Sequence, residues 1–161
     1  MEMKMRVFIA TFVLSALMVS GISAKEYGAR TRTGGAVGII KAKIFLINGL
    51  SHIIGILNDA SADVKNAQTA QELADIIGYT GKKFKDIMGL MKKTVKPYED
   101  ILENDKDLIE AGQALAKQMM TSYTGFQDTV MKWREGKTLS PQDEQLLLES
   151  VKKLSQFDED E

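Results

Sequence analysis

No cysteine occurs in the 161 residues, histidine appears once and proline twice. Without cysteine the chain has neither a disulfide nor a thiolate metal ligand to hold it together. His52 has no second histidine or cysteine to join, so a histidine-based zinc site and a Ser-His-Asp triad are not predicted. On an apolar stretch it reads as a partly buried structural residue. Excess charge of either sign is lacking too: 21 basic residues stand against 22 acidic ones. That balance argues against a nucleic-acid binder, for which a strongly basic domain is expected. With proline confined to Pro97 and Pro141, long helices meet few breaks.

The chain opens with MEMKMRVFIATFVLSALMVSGISA, in which Lys4 and Arg6 precede an apolar run from Val7 to Val19 and small residues ending at Ala24. This three-part pattern predicts a secretory signal peptide over residues 1–24. Residues 25–35 (KEYGARTRTGG) carry no apolar period and predict a flexible arm, on which Arg30 and Arg32 could meet a phosphate or an acidic surface. A single helical domain is expected over 36–157, and the acidic residues 158–161 read as a solvated tail.

Within that domain the periodicity is helical throughout. From Ala36 to Leu57, Ile39, Leu46, Leu50, Ile53 and Leu57 recur at helical steps with Ile40, Ile47 and Ile54 on the neighbouring row. The uninterrupted part, Ile44 to Leu57, would measure about 21 Å, short of a hydrocarbon core of about 30 Å, so a helix buried in protein is expected before a membrane span. Residues 58–71 are polar and alanine-rich and predict a turn or a loosely packed helix. Thr69 and Glu72 have capping-box spacing ahead of Leu73, Ile77, Phe84, Ile87, Met91 and Val95. Pro97 predicts a break. Beyond it Tyr98, Leu102, Leu108, Leu115, Met119, Tyr123, Phe126, Val130 and Trp133 predict one long helix to about Glu135. Ser140, Pro141 and Asp143 then restart a short helix. The expected architecture is all-α: a bundle or long helical hairpin of four helices near residues 36–58, 69–95, 98–135 and 141–156.

Two groups of residues invite a role. Lys82, Lys83, Lys85, Lys92, Lys93 and Lys96 oppose only Asp86 on one side of Pro97, whereas Glu99, Asp100, Glu103, Asp105, Asp107 and Glu110 oppose only Lys106 on the other. A reversal at Pro97 would set Lys92, Lys93 and Lys96 beside Glu99, Asp100 and Glu103. Such pairs choose one hairpin over another more than they add stability. Met119, Tyr123, Phe126 and Trp133 form a row that reads either as core or as an anchor for a partner or a second copy. The acids lack the spacing of a calcium loop, and neither Gly34–Gly38 nor Gly136-Lys137-Thr138 meets a phosphate-binding fingerprint. No catalytic residue, cofactor site or metal site is therefore predicted, and no small-molecule substrate is evident.

In layout, a leader followed by a long helical hairpin and a short final helix, the chain resembles the minor-pilin-type periplasmic subunits of conjugative transfer systems. The resemblance implies an extracytoplasmic helical subunit and transfers no residue roles. The function expected is that of an exported, non-enzymatic interaction module of the periplasm or cell envelope, or of the extracellular space, which meets a protein partner or itself. The alternative is a membrane-active or lipid-binding protein that uses residues 36–57.

Overall fold

A computed structural model describes residues 35–155. The leader, most of the arm and the acidic tail assigned above lie outside the described residues. Within them the protein is all-α, as its periodicity requires, with bundle-like contacts between helices. The elements are α1 (Gly35–Asn66), α2 (Ala70–Val95), a 3-10 turn (Lys96–Tyr98), the single turn α3 (Glu99–Leu102), α4 (Lys106–Glu135) and α5 (Pro141–Ser155).

Two predicted boundaries change. Of the two expectations for the polar, alanine-rich stretch after Leu57, a turn or a loosely packed helix, the helix is found: α1 runs past the boundary expected near residue 58 to Asn66, with Ala60 and Val64 buried. The long helix expected over 98–135 is interrupted at Glu103–Asp105. The break has a local cause. Asn104 turns its Nδ2 back onto the carbonyl of Asp100 at 3.0 Å, and Asp105 Oδ1 accepts the Leu108 N–H at 2.9 Å. Asp105 thereby caps the first turn of α4, where free N–H groups favour an acidic side chain.

Other ends follow their sequence signals. The Thr69 hydroxyl accepts the Glu72 N–H at 3.1 Å, and the Glu72 carboxylate accepts the Gln68 N–H at 2.7 Å, a capping box shifted by one residue on its return arm. Ser140 Oγ likewise accepts the Asp143 N–H at 3.1 Å, with Pro141 at the first helical position.

The described residues divide into two compact units, those up to 52 with 88–120 and those from 53 to 87 with 121 onward. In the first, the buried apolar residues are Ala42, Leu46 and Leu50 of α1, Met91 and Val95 of α2, Leu102 of α3, and Leu108 and Met119 of α4. Gly38 is required here, because a Cβ at that position would collide with the hydroxyl of Tyr98. In the second, the α1 seam continues through Ile53, Leu57, Ala60, Val64 and Ala67. It is matched by Leu73, Ala74 and Ile77 of α2, Tyr123, Phe126, Val130 and Trp133 of α4, and Leu147 of α5. The one buried polar side chain among the described residues, Thr80, donates its hydroxyl to the Ile76 carbonyl at 2.7 Å.

Candidate interaction surfaces

The aromatic row is used inside the protein. Tyr123, Phe126 and Trp133 are buried in the second unit, and Met119 is buried in the first. The Trp133 indole N–H donates to the carbonyl of Ala67 at 2.7 Å. Lys137 Nζ lies 4.2 Å from the centre of that indole and donates to the Gln68 carbonyl at 2.9 Å. Ala67 and Gln68 form the connection between α1 and α2, whose carbonyls the end of α1 leaves without helical partners. The row therefore locks a connection. Tyr123 is tied locally as well, its hydroxyl accepting from Gln127 Nε2 at 2.8 Å. A partner anchored on these side chains would have to open the core, so contact surface must be sought among exposed residues.

The charged segments around Pro97 resolve differently from one another. Lys92, Lys93, Lys96, Glu99 and Asp100 are exposed, and Glu103 is half-buried. Burial, followed by the charges of Glu99 and Asp100, raises the Glu103 carboxyl above its ordinary value. The residue that sequence reasoning left unassigned is Asp105, which forms an ion pair with Lys43 of α1. Burial alone would raise the Asp105 carboxyl. The hydrogen bond and charge of Lys43, joined by the Leu108 and Asp107 N–H groups, outweigh it and leave the carboxyl below its ordinary value. The signal was available in the Asp105 to Leu108 spacing of an N-cap, but Pro97 is the louder break.

Two exposed features remain. Along the outward face of α1, Val37, Ile40 and Ile44 are each a little over half exposed (54%, 56% and 55%), so Ile40 does not belong to the covered row on which its spacing placed it. Farther along that face come Asn48, Ser51, Asn58 and Asp59, all exposed and polar, together with His52, which is exposed rather than partly buried. Burial accounts for only 28% of the most apolar 18-residue window of α1. The expectation of a helix wholly sheltered by protein is thus met on its inner seam and fails on its outer face.

The second feature is a cleft of about 500 Å³ between α2 and α5, within the second unit. Ile77 and Leu146 supply apolar lining, Leu154 closes one side, and Lys82, Lys153 and Asp75 bring charge to it. Tyr79 also lines it and is 63% exposed, with Lys83 Nζ 5.4 Å from the centre of its ring. Gly78 also lines it, and a Cβ there would meet nothing within 4 Å. An apolar lining with a few charged groups suits recognition of another molecule. Among the described residues no group of three or more His, Asp or Glu side chains is placed to hold a metal ion. Comparison of the chain with family models, curated proteins and solved structures finds no match.

Proposed function

We propose that the chain is an exported, non-enzymatic helical module of the periplasm or cell envelope, a subunit that presents a helix surface to a protein partner in a conjugation- or secretion-type assembly. The observation that carries this reading is the cleft between α2 and α5, where the exposed ring of Tyr79 stands with Lys82 and Lys153 over an apolar lining. An exposed tyrosine ring over an apolar lining is a combination that protein interfaces favour. Two lysines against Asp75 select a partner with acidic character. A photo-crosslinking amino acid at Tyr79 tests it. A protein-sized adduct in the envelope fraction is expected, lost on Lys82→Glu with Lys153→Glu. The absence of an adduct, or one indifferent to those charges, contradicts it. Export is tested separately by fusing residues 1–34 to alkaline phosphatase, which is active only outside the cytoplasm.

A second reading, lipid binding through α1, is favoured by the exposure of Val37, Ile40 and Ile44. The two readings use different surfaces and are compatible in an envelope protein.

A further inference from the structure

We infer that α1 docks on an anionic lipid surface through Val37, Ile40 and Ile44, lying along the bilayer rather than crossing it; this rests on the lipid-binding reading above. The three side chains recur at steps of three and four residues and so form one stripe. Each is more than half exposed, although the same helix buries Leu46, Leu50, Ile53 and Leu57 almost completely on its inner seam. Ile47, half-buried, flanks the stripe, and from Asn48 onward the outward face is polar.

The exposed face decides between spanning and lying flat, because α1 as a whole is long and apolar enough to cross a membrane. From Val37 to Ile47 the outward apolar run covers roughly 15 Å at 1.5 Å per residue, about half of a hydrocarbon core. To cross, α1 would have to carry Asn48, Ser51, Asn58 and Asp59 into lipid on its exposed face. A short apolar stripe ending in polar residues instead matches a helix seated at the headgroup and acyl boundary. A second copy of the chain is a poor occupant: a stable dimer interface engages about 20–30 residues a side, and this stripe offers three.

Charge selects the lipid. Lys41 is exposed on the helix between Ile40 and Ile44, and the sequence ahead of α1 carries Lys25, Arg30 and Arg32 against Glu26. Basic residues next to an interfacial apolar stripe favour anionic headgroups.

Because the chain has no cysteine, a single introduced thiol carries a label at one known place. In the full chain, Ile44→Cys and Asp59→Cys are each labelled with a polarity-sensitive fluorophore and mixed with vesicles of phosphatidylcholine alone or with phosphatidylglycerol. The label at position 44 should shift to the blue and be quenched by lipid-borne quencher on the anionic vesicles, the label at 59 should not respond, and Lys41→Glu should weaken the response. Silence at position 44 on anionic vesicles overturns both the inference and the lipid reading. An equal response on both vesicle types overturns the anionic preference and leaves lipid binding standing. Quenching at 44 and 59 together overturns the confinement of the lipid contact to the apolar half of α1.

Discussion

The two halves of α1 share one buried seam and differ on the side that faces out. Up to Ile47 the exposed face is aliphatic but for Lys41, whereas beyond it the exposed residues include Asn48, Ser51, His52, Asn58 and Asp59. A helix that needs only a core partner has no use for an apolar outer face, and the second half conforms to that rule. The first half departs from it by a short stripe of Val37, Ile40 and Ile44, the surface on which the proposed lipid contact rests.

The strongest test of that contrast is one substitution made on both sides of the helix. Ile53 is fully buried, so Ile53→Ala should cost about 2–5 kcal/mol in chemical denaturation, through lost transfer free energy and the cavity left behind. Next in size is Trp133→Phe. It keeps the aromatic packing and leaves the Ala67 carbonyl without its 2.7 Å donor, a loss of about 1–3 kcal/mol confined to the second unit. Asp105→Ala should cost about 1 kcal/mol by removing the cap of α4. Its pH dependence is diagnostic. The folded carboxyl lies below its ordinary value of 3.8, so the contribution is complete above that value and is lost as pH falls through the lowered one. The parent should therefore lose stability in that acid range more steeply than the variant. Glu103 has the opposite sign. Its raised carboxyl makes ionisation a burden on the fold at neutral pH, so Glu103→Gln should leave stability there unchanged or slightly higher. The smallest effect is Ile44→Ala, expected within about 0.5 kcal/mol of the parent because the side chain is already in solvent.

Much of the architecture was legible where a residue has a local job. Thr69 with Glu72 and Ser140 with Asp143 announce helix starts because their side chains satisfy N–H groups three residues away, a relation that sequence spacing displays. Pro97 announced the end of α2 for an equally local reason. The extension of α1 to Asn66 was left open between turn and helix because its seam there consists of Ala60 and Val64, small residues whose apolar contribution is slight until another helix comes close. Asp105 was hidden by its neighbours, one acid among several, until Lys43 and the Leu108 N–H distinguish it.

The exposed surfaces were the least legible part. Periodicity reveals how wide the apolar face of a helix is, but not how much of that width another element covers, so Ile40 and Ile53 look alike in the sequence. For the same reason Tyr123, Phe126 and Trp133 read equally well as core or contact surface, and only the bond from Trp133 to Ala67 assigns a task to one of them. Tyr79 drew no attention because its neighbours include Gly78 and Gly81, which weaken a helix pattern and line the cleft beside it.

Thiol reactivity measures the division of α1 without lipid or partner. In the full chain, Ile44→Cys and Ile53→Cys are compared for their rates of modification by a small maleimide. Position 44 should react at close to the rate of an unfolded peptide, and position 53 only as fast as the local structure opens, slower by orders of magnitude. Equal protection at both positions would contradict the division, because the stripe of Val37, Ile40 and Ile44 would then already be covered by protein.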